Sequence, residues 1–219
     1  MKRLLTPLSA LFGIAPAIET GFADRVEGLI ENVESGCGSE IALVVDPWSG
    51  SYRDVNYLVG AICALGVLFV ILHSHIEVHP DWIPLELALV FALGSFISHR
   101  SVLRRWFTTT RRRERQVQDA AKLAFLNGVL GTPAHTGILV YWSRLERRIL
   151  AIADHGVERQ LPGEHWSEFL FELRRLETAP DPQPGLITVI EQLGVHLAKH
   201  VPIPDNHVRV LPNRPRGES

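Results

Sequence analysis

The sequence predicts an α/β domain interrupted by a transmembrane helical hairpin. Three observations lead there. Residues 54–99 hold no Lys or Arg, and seven Arg then fall between positions 100 and 115. Two apolar runs, 55–72 and 83–97, fill that uncharged window. Outside it, short apolar runs of strand length alternate with amphipathic stretches of helical period.

The chain has 219 residues and a net charge of −2, so its basic character is local and the balance predicts no nucleic-acid binding. Removing the hairpin leaves about 170 residues, enough for one soluble domain with its own core. The two cysteines are poorly placed to pair, Cys63 in an apolar run and Cys37 in a Gly-rich turn. Their use permits a reducing compartment.

The first feature in chain order is Met-Lys-Arg, the mostly apolar stretch 4–14 and Ala15-Pro-Ala17, which has the look of a signal peptide. Cleavage there would put the soluble parts outside the cell. Thr6, Pro7 and Ser9 weaken the apolar stretch, and the Arg cluster would then need translocation. Next, Phe22, Val26, Leu29, Ile30 and Val33 follow helical spacing, so 20–34 is an amphipathic helix ended by Gly36 and Gly38. Residues 41–45 are a continuous apolar run, a strand buried on both faces.

The two apolar runs are short beside the ~20 residues that a ~30 Å hydrocarbon core needs. Asn56 and Tyr57 extend the first into the interface, and Trp82 and residues 98–103 extend the second. Glu86 lies about one turn inside Trp82, where a carboxylate costs less than the ~2.5–3.5 kcal/mol of mid-bilayer. A pair of buried helices in a soluble protein is the competing reading. The positive-inside rule places the Arg cluster in the cytoplasm and the loop with His73, His75 and His79 outside. Small residues at four-residue spacing (Gly60 and Ala64, Ala88 and Ala92, Gly94 and Ser98) allow close helix approach, within the hairpin or in a homodimer.

After the hairpin, Val117, Ala121, Ala124 and Phe125 mark a helix. Residues 138–142 and 149–152 are strands joined as a hairpin, followed by helices opened by Pro162 and Pro184. Because the hairpin returns to the side it left, 41–45 can join the later strands in one sheet through an interrupted βαβ crossover. Four segments result: 1–54, the first part of the domain; 55–103, the hairpin; 104–204, its second part; and 205–219, an irregular tail.

Residues 136–157, Thr-Gly-Ile-Leu-Val-Tyr-Trp-Ser-Arg-Leu-Glu-Arg-Arg-Ile-Leu-Ala-Ile-Ala-Asp-His-Gly-Val, resemble the core of the TPM domain family. There a Gly-Val-Leu-Leu strand leads through an Arg-bearing turn to a Val-x-Ile strand and a Gly turn. Residues 35–41, Ser-Gly-Cys-Gly-Ser-Glu-Ile, resemble the family's Thr-Gly-x-x-Ile entry to its first strand. The resemblance covers about 19–46 and 116–200, and is nearest to bacterial members with a two-helix membrane segment inside the domain. It implies a small mixed-sheet α/β/α sandwich. The family includes a photosystem II repair factor and an acetylcholine-receptor accessory protein, and phosphatase activity and calcium binding are ascribed to some members. This chain departs from it in lacking a Trp-Gly-Ile-Gly segment. The family's Gly-x-Gly-Leu-Glu turn stands here as Asp154-His-Gly-Val-Glu158.

Candidate chemistry is sparse. The sequence has no Cys-x5-Arg loop, Asp-x-Asp strand end, Arg-His-Gly or P-loop. Asp154, His155 and Glu158 at a strand end, with Glu40 or Asp46 nearby, are candidate ligands for a divalent cation such as calcium; a plain turn is the bland alternative. His196 and His200 share a helical face at a spacing metal ligands use, but no third ligand is visible and solvated histidines are the default. The Arg cluster (Arg100, Arg104, Arg105, Arg111, Arg112, Arg113 and Arg115) sets topology and attracts anionic lipid. Arg144, Arg147 and Arg148 extend that basic surface or merely solubilise a turn. The expected protein is a multi-pass inner-membrane one with a cytoplasmic domain, periplasmic in the minority reading. Its expected role is a non-catalytic accessory, assembly or quality-control module for an unidentified membrane protein, with a metal-assisted phosphatase as the alternative.

Overall fold

A computed structural model describes residues 18–74, 79–99, 108–129 and 135–203, together with Leu211 and Pro215. Among these the elements run α1 (Phe22–Gly36), β1 (Glu40–Asp46), α2 (Arg53–His73), a 3-10 turn (Pro80–Trp82) and α3 (Ile83–His99). They continue with α4 (Thr110–Gly128), β2 (Gly137–Ser143), β3 (Arg148–Ala153), α5 (His155–Gln160), α6 (Gly163–Leu176) and α7 (Gln183–His200). The stretch before residue 18 and most of the tail after 203 lie outside the described residues.

The sheet is mixed, in the order β1-β2-β3. β1 pairs parallel with β2 from Glu40 opposite Gly137 to Asp46 opposite Ser143, and β2 pairs antiparallel with β3. All seven residues of β2 are buried, as a central strand covered on both faces requires. Alternation along the strands divides the core in two. Ile41, Leu43, Ile138, Val140, Trp142 and Ile149 face α1, α6 and α7. Ala42, Leu139 and Tyr141 face Val117 and Ala121 of α4. The result is an α/β/α sandwich. Phe22 meets Trp142 edge to face, with ring centroids 6.2 Å apart.

A three-stranded sheet has two open edges, which would invite further strands. Both carry a carboxylate. Glu34, from the end of α1, accepts the Ile41 N–H at 2.8 Å, and Glu177, just past α6, accepts the Ile149 N–H at 3.1 Å. Glu177 also accepts from Arg148 at 2.6 Å, and Arg148 donates to Glu114 on α4 as well. The arginine therefore joins the helices on the two faces of the sheet, and the expectation that it extends a basic surface is replaced. Arg144 is half-buried, and desolvation lowers its pKa.

The described residues fall into two compact units, Gly50–Arg113 (the helix pair and its flanks) and an α/β unit of residues up to Ser49 with those from Glu114 on. In the first, α2 and α3 run antiparallel. Their approach is close because Gly60 and Gly94 face each other: a Cβ on Gly60 would lie 2.6 Å from the Phe91 carbonyl, and one on Gly94 would lie 3.2 Å from the Gly60 Cα. The buried Ser98 hydroxyl donates to Asn56 at 3.3 Å, and Tyr57 stacks on Phe91. Gly60, Gly94 and Ser98 thus serve packing within the pair, whereas Ala88 and Ala92 are exposed. Seven large apolar side chains of α2 and six of α3 are exposed, from Tyr57 and Leu58 to Phe96 and Ile97. By length and composition, α2 and the helical segment Pro80–Ser98 that includes most of α3 are long and apolar enough to cross a membrane. Cys37 and Cys63 form no disulfide.

Two glycines test the packing of the α/β unit. A Cβ on Gly194 of α7 would meet Val33 of α1 at 2.6 and 2.9 Å, whereas one on Gly28 meets nothing within 4 Å. Gly194→Ala should destabilise the domain by about 1–3 kcal/mol through overpacking. Gly28→Ala, in the exposed interior of α1, should stabilise it by roughly 0.5–1 kcal/mol. Thermal melts of the detergent-solubilised chain check both signs.

Candidate functional site

The parallel-then-antiparallel pairing brings the start of β1, the start of β2 and the end of β3 to one end of the sheet. Glu40 opposes Gly137, and the Asp154 N–H donates to the Gly137 carbonyl at 2.9 Å. Asp154 then ends β3 and caps α5, its Oδ1 accepting the His155 N–H at 2.7 Å. The expected plain turn at residues 154–158 is therefore a helix start, with an N-cap residue favoured at that position. His155 Nδ1 lies 2.9 Å from Oδ1 of Asp154, and His135 Nδ1 lies 3.3 Å from Oδ2. The two imidazoles are 4.8 Å apart between ring centroids and half-exposed, while Asp154 is buried.

Burial of Asp154 pushes its carboxyl pKa up. The hydrogen bonds from the His155 ring and backbone and from His135 outweigh it and hold the group below the usual aspartate range. His135, Asp154 and His155 each offer one donor atom, all within 4.8 Å of one another, so they could hold a metal ion.

The expected partners of Asp154 are placed differently. The Glu40 side chain is buried and accepts the Leu211 N–H at 2.7 Å, so it serves the chain beyond α7. Glu158 is exposed on α5 and does not join the close cluster. Asp46 is at the other end of β1, about 20 Å along at ~3.3 Å per residue. There it accepts the Tyr141 hydroxyl at 2.6 Å, and burial raises the Tyr141 pKa strongly. His135 was missed because it precedes β2 in a stretch that reads as a loop; only the fold brings it to Asp154.

Of the Arg cluster, Arg100, Arg104 and Arg105 lie outside the described residues. Arg111, Arg112, Arg113 and Arg115 occupy the first turns of α4, whose first turn has no acidic residue. Arg112 makes a two-nitrogen pair with Asp54 at the start of α2, at 2.5 and 3.0 Å. Of the loop histidines, His73 stacks on Phe69 at the end of α2, His79 sits 3.4 Å from Asp81, and His75 lies outside the described residues. His196 and His200 are not alone on their helix face. His165 of α6 stacks on His196 with centroids 4.0 Å apart and lies 5.7 Å from His200, and Glu168 joins them.

The depressed Asp154 pKa sets a sign. Its contribution to stability is complete above the ordinary aspartate range and is lost as pH falls through the lowered folded value. Asp154→Ala should cost about 1 kcal/mol at neutral pH through loss of the cap, with the gap to wild type closing in acid. Melting curves of chelator-treated protein across that range check it.

No protein-family model matches this sequence, and no curated protein matches it. Among solved structures, the chain is similar to the BA42 protein from the psychrophilic bacterium Bizionia argentinensis, determined by NMR. The TM-score is 0.54 at 15% identity, over 94% of this chain and 98% of that one, a likeness of fold.

Proposed function

We propose that this chain is a membrane-tethered TPM-like domain acting as a non-catalytic accessory module for other membrane proteins. One observation carries the reading. The helix pair exposes thirteen large apolar side chains, seven and six, on a unit whose interior contacts are already closed by Gly60, Gly94, Asn56 and Ser98. Such a surface needs an apolar surrounding, because a helix apolar all round is a buried or bilayer helix. The proposed topology is two crossings, with the α/β unit on the cytoplasmic face beside the Arg cluster. The TPM assignment draws on residues 35–41 and 136–157, which fall on the entry to β1 and on the β2–β3 hairpin. An accessory role follows from tethering a folded domain at the bilayer. The partner is a membrane protein, and a second copy is an option.

A second reading, a metal-assisted phosphatase, draws on the Asp154 cluster. Its two imidazoles and one carboxylate do not suit calcium, which takes six to eight oxygens. A first-row transition ion fits the donors better.

The chain should stay in the membrane pellet after carbonate extraction, and an export-only reporter fused after Ser219 should be silent. Release by carbonate would sink the membrane reading, and an active reporter would sink the cytoplasmic one. Gly60→Leu should split the helix pair and cut the membrane-inserted yield severalfold. Hydrolysis of a phosphoester with Mn2+ or Zn2+, abolished by His135→Ala, would replace the accessory role with the enzymatic one.

A further inference from the structure

A second set of nitrogen and oxygen donors sits between α6 and α7. His165 and Glu168 are three residues apart on α6, and His196 and His200 four apart on α7. Residues at these spacings share a helix face. One donor atom each from His165, Glu168 and His196 lies within 4.8 Å of the other two. They line a cleft of 260 Å³ that also includes the core residues Phe169 and Leu193. Glu172, in the same cleft, is held by Arg175 at 2.9 and 3.0 Å. Glu168 makes no ion pair among the described residues. Beside the cluster, Nε2 of His200 is shut off from solvent with no hydrogen-bond partner.

We propose that this cleft binds a divalent transition-metal ion, with His165, Glu168 and His196 as its protein ligands. Two imidazole nitrogens and one carboxylate oxygen suit zinc or cobalt, whereas calcium and magnesium take oxygen donors. Three protein ligands leave a fourth position for water. Tetrahedral ligation needs donors ~3.3 Å apart, so the stacked His165 and His196 rings must turn out of their stack. Phe169 and Leu173 fix α6 in the core, and Leu193 and Leu197 fix α7. The ion clips α7 to α6 and presents an open coordination position at the surface. The His200 ring lies beside the cluster, its centroid 5.7 Å from that of His165.

The test uses the full chain in mild detergent, stripped of metal and carrying His135→Ala and His155→Ala to remove the Asp154 set. Co2+ should give the intense visible absorption of a tetrahedral site, Zn2+ should displace it, and Zn2+ should raise the melting temperature. Adding His165→Ala or His196→Ala should weaken Co2+ binding at least about tenfold, since even outer partners of ligands cost 10–100-fold. Circular dichroism shows whether each variant keeps its helices. His165→Gln, which keeps size and polarity, should lose binding equally. Absence of the Co2+ spectrum in the parent, or its survival in the His165 and His196 variants, overturns the proposal.

Discussion

The seven-residue parallel pairing of β1 with β2 is the constraint on which the rest depends. It joins segments separated by everything from Pro47 to Thr136, including the whole apolar helix pair. A flexible insertion of that length would add a loop-closure cost growing as the logarithm of its length. Here the insertion closes itself. Asn56 reaches Ser98 and Gly60 meets Gly94, so the antiparallel helices return the chain to where it left. Any crossing of a bilayer must then be made an even number of times, because both strands share one compartment.

A sheet of three strands is also the smallest that has a covered centre, and it leaves an open edge on each side. The two edge carboxylates differ in setting. Glu34 is buried at the end of α1, while Glu177 is half-buried and shared with Arg148. In each case a side chain at a helix C-terminus supplies the acceptor that a further strand would otherwise supply. This is a local solution to an aggregation hazard, and it ties α1 to β1 and α6 to β3 at the same time. Arg148 extends the second tie to α4, so the edge strand and both faces of the sandwich share one charged junction.

Much of the fold was legible because it is written in local periodicity. Phe22, Val26, Ile30 and Val33 sit at helical spacing and are buried in α1, and residues 41–45 form the apolar run that becomes β1. The site was less legible, for physical reasons. Asp154 stood out as a strand-end acid, yet its role as a helix cap depends on backbone angles that Asp-His-Gly-Val also permits in a turn. His135 joins it only through the β2 and β3 register, and Asp46 is removed from it because a strand carries its two ends apart. His196 and His200 announced a shared face, but their companions His165 and Glu168 are on another helix. Which residues face each other there is decided by how α6 and α7 settle on the core.

The first turns of α4 pose an electrostatic problem that bears on the membrane reading. A helix N-terminus carries about half a positive charge, and cations there cost roughly 0.3–1 kcal/mol each when exposed. Arg111, Arg112, Arg113 and Arg115 all sit at this end, without an acidic residue in the first turn. Asp54 offsets Arg112, in a pair too exposed to contribute more than about 1 kcal/mol. Arg111 and Arg115 remain exposed. Left in water, this end of the helix would be a net liability. Beside anionic headgroups, each basic residue gains up to ~1 kcal/mol, a gain of the same size as the dipole cost. A lipid surface of negative charge would thus offset the cost that this helix end carries in isolation. The arginines at the chain's exit from the apolar pair are in keeping with the proposed membrane tether.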